Sequence, residues 1–188
     1  MDPLDFQNTT TLDDARILSI IREGVSVWST GPLTLRVRYS RGADFSAACH
    51  YATRRILINI GRHVSYPYRL ITHVAKAKTV GRYWRKVAYS LEFADGYQFV
   101  AFLFMHELYH LLVKRARRNT RQKESMCDRF AARFLVDRFG AVVYDPWDHP
   151  VARHTWDFQD LDGFVSAARK EPGTLTRAAQ AAVVQTGL

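Results

Sequence analysis

Cysteine is scarce in this chain: Cys49 and Cys127 are the only two among 188 residues. They are too few and too far apart for a disulfide framework or a CxxC metal site, so the fold must rest on ordinary burial, and both read as small buried residues. No apolar run reaches the roughly eighteen residues that a membrane-crossing helix needs, so no span is expected. The opening MDPLDFQNTT is acidic and polar where a signal peptide would be basic and then apolar, which makes an intracellular protein the expectation. Negative charge is in deficit, with 18 Asp and Glu against 27 Lys and Arg, a net charge of +9. That excess suits an acidic partner, nucleic acid included. The signatures of nucleic-acid modules are missing too: there is no C2H2 spacing, RNP sequence or basic heptad zipper. What the chain does have is 47% hydrophobic and 13% aromatic residues, enough for the core of a single domain spanning 1–188.

Thr11 to Trp28 reads as an amphipathic helix, with Thr11 as cap, Asp13 and Asp14 in the first turn, and Ile17, Leu18, Ile20, Ile21 and Val25 on the apolar face. Gly31-Pro32 ends it. Leu33 to Ser40 alternates as a half-buried strand does, and Ala47 to Tyr51 and Arg54 to Ile60 read as two more. A small, mainly antiparallel sheet is expected from residues 33–60. From Gly61 to Ser90, His63, His73, Lys76, Lys78, Arg82, Tyr83, Trp84, Arg85 and Lys86 form a basic, aromatic cluster without a clean period. It reads as a partly helical excursion whose aromatics pack while its charges stay in water, in preference to a nucleic-acid platform.

The stretch FVAFLFMHELYHLLVKR, from Phe99 to Arg115, organises the rest. On a helix turning about 100° per residue, His106 and His110 lie about 40° apart in azimuth and roughly 6 Å apart along the axis, so both imidazoles reach one metal ion. Glu107 beside them is placed to take a proton from water. Leu103, Phe104, Leu108, Leu111 and Leu112 are expected on the opposite, core-facing side. Buried ionisable groups are costly unless paired or bound to metal. The run KRARRNTRQK then links this helix to a second, opened by Asn119 and Gln122 as a capping box and closed by Gly140. So short a connection makes residues 97–140 an antiparallel hairpin, which brings Glu124 level with the two histidines. Glu124 completes a two-His, one-Glu zinc set with an open fourth position, and Asp128, one turn on, suits a hydrogen bond to the free ring N–H of a ligand.

HELYH followed by ESMCDRFAA resembles the HExxH and ExxxD pattern of the gluzincin metallopeptidases, and most closely the ImmA/IrrE family of intracellular proteases. The resemblance covers about a fifth of the chain. It implies zinc bound by His106, His110 and Glu124, Glu107 as catalytic base, and Asp128 orienting a ligand. By family analogy the substrate is a protein or peptide, such as a transcriptional repressor.

Other readings stay open at this point: a catalytically inactive zinc-binding regulator, or a nucleic-acid-associated protein using Lys114, Arg115, Arg117, Arg118, Arg121 and Lys123. Tyr144, His149 and His154 are candidates to stabilise the tetrahedral intermediate, and a sheet edge at Arg54 to Ile60 is the expected place for a substrate strand. Thr155 to Leu188 reads as two helices broken at Pro172-Gly173, with Trp156, Phe158, Leu161 and Phe164 docking on the core.

Overall fold

The structure, a computed structural model, describes residues 2–121 and 123–170. The fold is α+β, as expected. In chain order it runs β1 (Leu4–Asn8), α1 (Asp14–Gly24), β2 (Leu33–Tyr39), β3 (Phe45–His50), β4 (Arg55–Ile60), β5 (Tyr68–Thr72), β6 (Lys78–Val80), β7 (Tyr83–Arg85), β8 (Tyr89–Phe93), α2 (Gly96–Arg115), α3 (Glu124–Phe139), β9 (Val143–Tyr144), α4 (Arg153–Trp156) and α5 (Leu161–Phe164).

A four-stranded sheet has the order β1-β2-β4-β3. Four of the six strand pairings are antiparallel across all sheets, but within this one only β3-β4 is, while β1-β2 and β2-β4 are parallel. Strand β1, ahead of the first helix, is an addition to the strands expected from residues 33–60. The α1 helix connects β1 to β2, which is the crossover that parallel neighbours need. It starts at Asp14 and not at Thr11, because the Asp13 carboxylate accepts the Arg16 N–H at 2.7 Å, whereas the Thr11 hydroxyl lies 2.7 Å from that of Tyr39. It also ends at Gly24, and Trp28 forms a bridge with Arg169 instead.

Burial alternates along the strands. Leu35, Val37, Ile56, Ile58 and Ile60 are buried beneath the helices, while Arg38, Ser46 and Ala48 are exposed. β4 is paired on both sides, so Arg54 to Ile60 is not the sheet edge; the free edge next to α2 is β3.

α2 begins where the Asp95 carboxylate accepts the Gln98 N–H at 2.9 Å and the Gln98 side chain accepts the Ala94 N–H at 2.9 Å, a reciprocal cap. Its apolar residues are not confined to one face. Phe99 to Met105, Leu108, Tyr109 and Leu111 to Val113 are all buried, because the sheet, α1 and α3 together enclose the helix. Phe99 packs on Phe45, Tyr68 and Phe93 at centroid distances of 5.3, 5.0 and 5.0 Å and so ties α2 to both main sheets. Truncating so enclosed a ring costs about 3–5 kcal/mol.

The turn after α2 is closed by the Arg118 N–H on Val113 O at 3.0 Å, with Arg117 at φ 56°. α3 begins at Glu124 and lacks the expected capping box: the Asn119 side chain accepts the Arg121 N–H at 2.9 Å, and Lys123 precedes the helix with no side-chain cap. Gln122 lies outside the described residues. Gly140, at φ 67°, ends α3 as expected, in the left-handed conformation that a residue without Cβ adopts freely.

Residues 61–90 contain no helix among the described residues. They form β5, which pairs with β8 and through it β9, and the β6-β7 hairpin around Gly81 at φ 62°. The C-terminal part is built of short turns: Trp156 and Leu161 are buried and Phe164 partly so, but Phe158 is 39% exposed beneath the guanidinium of Arg129. The Pro172-Gly173 break and the helix after it lie outside the described residues. No helix among the described residues is long and apolar enough to cross a membrane.

Candidate metal centre

The hairpin of α2 and α3 brings His106, Glu107, His110, Glu124 and Asp128 together. Glu124 opens α3, and its two carboxylate oxygens lie 3.2 Å from His106 Nε2 and 3.4 Å from His110 Nε2. Donor separations of about 3.3 Å are those of adjacent ligands around an ion held by bonds of about 2.0–2.1 Å. One turn later the Asp128 carboxylate lies 2.8 Å from His106 Nδ1, which directs Nε2 toward Glu124. The other Asp128 oxygen accepts the backbone N–H of His73 at 2.6 Å. Buried Arg129 donates to Val74 O at 2.8 Å, so α3 grips the segment after β5 through two consecutive residues. His110 has no comparable orienting partner: its buried Nδ1 makes no hydrogen bond among the described residues.

The titratable groups are strongly coupled. Burial opposes the charge on His106, but hydrogen bonds to Asp128 and Glu124 outweigh it and push its pKa up to about 9. His110 moves the other way, lowered by burial and then by the neighbouring His106. Glu124 is held below the usual carboxylate range, chiefly by its hydrogen bond with His106. Glu107 is raised by burial and by the charge of Glu124, against the pull of His106. Two acidic residues thus have their proton affinities moved in opposite directions, an arrangement suited to separate roles as ligand and base.

Cys127 adds a further donor. His106, His110 and Cys127 offer ligand atoms within 4.8 Å of one another, a grouping that could hold a metal ion. Cys127 and Glu124 therefore compete for the third position. Cys127 is fully buried, and burial followed by the charges of Glu124, Asp128 and Glu107 drives its thiol pKa upward, which favours the neutral form. Glu124 is ionised, and its oxygens touch both imidazoles. A thiol bound to a metal ion loses its proton whatever its pKa in the metal-free protein, so the contacts of Glu124 at 3.2 and 3.4 Å, and not the thiol pKa, distinguish the two donors. Cys49, expected to be buried, is intermediate in exposure, with a thiol raised by burial to about 12.

A cavity of about 270 Å³ opens over this cluster. Phe45 and Ala47 of the β3 edge form one wall, Leu70 and Ile71 of β5 another, and His106, Glu107, Glu124 and Asp128 line it with His73. Nothing local in the sequence singles out His73, which sits in a run of basic and aromatic residues with no period. Its position depends on contacts with Asp128, 55 positions away. Tyr144, His149 and His154 do not line this cavity. Tyr144 pairs with Ser90 in the second sheet beneath Arg69, His149 Nδ1 lies 3.4 Å from the Asp145 carboxylate, and His154 is exposed on α4. In the basic run, Arg115 donates to Ser29 at 3.3 Å, and Arg118 and Lys123 lie against the Phe164 ring. Comparison with family models, curated proteins and solved structures finds no match to this chain.

Proposed function

We propose that this protein is a zinc-dependent endopeptidase that cleaves an extended segment of a protein or peptide substrate. The observation that carries the reading is the contact of both Glu124 oxygens with the Nε2 atoms of His106 and His110, while Glu107 lines the same cavity with its pKa raised. His106, His110 and Glu124 would hold the zinc, which when bound supplies Lewis acidity toward a carbonyl and makes water easier to deprotonate.

Glu107 accepts the proton of the attacking water and delivers it to the leaving amine. Its raised pKa brings both transfers closer to neutral pH. Asp128 holds His106 in the tautomer that carries its proton on Nδ1, leaving Nε2 free as a donor to the ion. His73, on the wall of the cavity, replaces Tyr144, His149 and His154 as the candidate to stabilise negative charge developing on the substrate carbonyl oxygen. The wall strands β3 and β5 are both edges of their sheets, so a substrate can hydrogen-bond along β3 as an added strand. Phe45, Ala47, Leu70 and Ile71 suit apolar side chains beside the scissile bond. A cavity this small admits side chains and a single extended strand, not a folded domain.

The test is metal analysis paired with peptide hydrolysis. Purified protein should carry about one zinc per chain, as a single three-residue site with an open position requires. Glu107→Gln should retain that metal and lose hydrolysis, by on the order of 10²–10⁴-fold for removal of a general base. Cleavage at an unchanged rate would overturn the base assignment. Absence of zinc-dependent cleavage by unaltered protein, across a library of unfolded peptides, would overturn the enzyme reading.

A further inference from the structure

We infer that the carboxyl ends of the parallel strands form a second site, which binds a phosphate group. β1, β2 and β4 run in the same direction, so the loops that follow them leave from one edge of the sheet. Thr9 follows β1, Ser40 and Arg41 follow β2, and Arg62 follows β4. A cavity of about 560 Å³ lies there, lined by Arg38, Arg41 and Arg62 with Tyr39, Ser46 and Asn59 among its other walls, and no carboxylate contributes to it. An adjoining cavity of about 530 Å³ shares Tyr39, Arg41 and Arg62 and adds His63, with Asp44 as its acidic residue.

The three guanidiniums are presented, not neutralised. Arg38 donates through Nε to Asn59 at 2.5 Å, and Asn59 in turn donates to Ser46 at 2.7 Å. Those bonds hold the Arg38 side chain while leaving its terminal NH2 groups available. Arg62 stacks over the Tyr39 ring at 4.7 Å, and the Tyr39 hydroxyl is held 2.7 Å from that of Thr11. Among the described residues none of the three forms an ion pair, although Arg16, Arg36, Arg69, Arg133, Arg138, Arg153 and Arg169 all do.

The rim is braced as well. Ser40 N–H donates to Ile60 O at 2.8 Å, and Gly61 N–H donates to Asp44 O at 2.6 Å. A Cβ on Gly61 would come within 2.8 Å of Val64 and 3.0 Å of Asp44 O, so this closure needs glycine. Three arginines, one held by a side-chain hydrogen bond and one by an aromatic ring, line one cavity and bring to it the guanidinium donors that recognise phosphate oxygens. The site stands apart from the metal centre and does not depend on it.

Binding is measured with inorganic phosphate by calorimetry, and with a short fluorescein-labelled single-stranded oligonucleotide by anisotropy. Replacing Arg38, Arg41 and Arg62 together with Gln should weaken binding by about tenfold for each charge-assisted hydrogen bond removed. The control, Lys114→Gln with Arg117→Gln and Arg121→Gln, removes the same formal charge elsewhere and should change the affinity for inorganic phosphate by less than about twofold. Should the first triple variant fail to fold, Arg41→Gln alone, in an exposed loop, must show the loss. Oligonucleotide binding that competes with phosphate identifies a nucleic-acid backbone as the source of the group. Phosphate binding without it identifies a free or small-molecule phosphate. Absence of binding to both probes, or equal weakening in the two triple variants, overturns the site.

Discussion

The two faces of β3 meet opposite electrostatic surroundings. Ala47 faces a cavity with Glu107, Glu124, Asp128 and two histidines, whereas its neighbour Ser46 faces one with Arg38, Arg41 and Arg62. Strand alternation alone separates them. On the inner side Glu107 and Asp128 are buried, and the Glu124 and Asp128 carboxylates lie within hydrogen-bonding reach of His106, whose pKa they raise. On the outer side the guanidiniums are exposed and await a counter-charge from elsewhere. The contrast shows how a basic chain keeps an acidic, metal-suited cluster: the sheet stands between the two sets and keeps the guanidiniums out of contact with the carboxylates.

The largest expected effect concerns the third donor. Glu124→Ala should weaken zinc binding by more than the roughly 10–100-fold that loss of an orienting partner costs, while Cys127→Ser should stay within that range. Chelator competition measures both, and the reverse order would make Cys127 the ligand. Next comes Asp128→Asn, expected to weaken zinc by about 10–100-fold.

That variant also carries a pH signature. In the metal-free protein His106 holds its proton up to about pH 9, and zinc must displace it. Affinity should therefore rise with pH and level off near that value. Without the Asp128 carboxylate the His106 pKa falls, so the plateau should begin at lower pH. An unchanged profile would remove Asp128 from its orienting role. The same shift has a stability consequence for metal-free protein: because the folded pKa is raised from 6.5, the stabilisation from protonated His106 is complete below that value and lost as pH rises through about 9.

The smaller effects come from placing one carboxylate on each face of β3. Ala47→Asp adds a half-buried charge beside Glu107 and Glu124, and should cost about 1–3 kcal/mol in thermal or denaturant unfolding while slowing hydrolysis. Ser46→Asp, one residue away, should change stability by no more than about 0.5 kcal/mol and leave hydrolysis intact. It should abolish phosphate binding by supplying the arginines with an internal anion. Similar outcomes at the two positions would mean that the faces are not electrically separate.

Much of the inner site was legible because it is local. HExxH spacing places His106 and His110 on one side of any helix, and the short connection between Arg115 and Glu124 forces the hairpin that carries Glu124 and Asp128 back to them. The approach of Glu124 follows from helix rise alone. That of His73 does not, since its place depends on Asp128 and Arg129 gripping a segment 55 positions earlier. Tyr144, His149 and His154 look suitable in sequence because their loop follows the metal hairpin, but pairing of β9 with β8 carries Tyr144 into the second sheet. The free sheet edge lies one strand further out than the sequence suggests for a similar reason. The Arg54 to Ile60 run shows alternation but says nothing about how many neighbours it has, and β3 takes the outside position.

The sequence by itself determined the α+β class, the central apolar helix, the metal-suited pair on it and the excess of positive charge, all of which follow from composition and from periods of about 3.6 and 2 residues. Only the tertiary structure decided strand order, which edge remains free, which histidine joins the cavity and where three arginines converge. Those depend on contacts between residues distant in the chain, whose geometry arises when helices and sheets bury their apolar faces together and is not encoded in any local repeat.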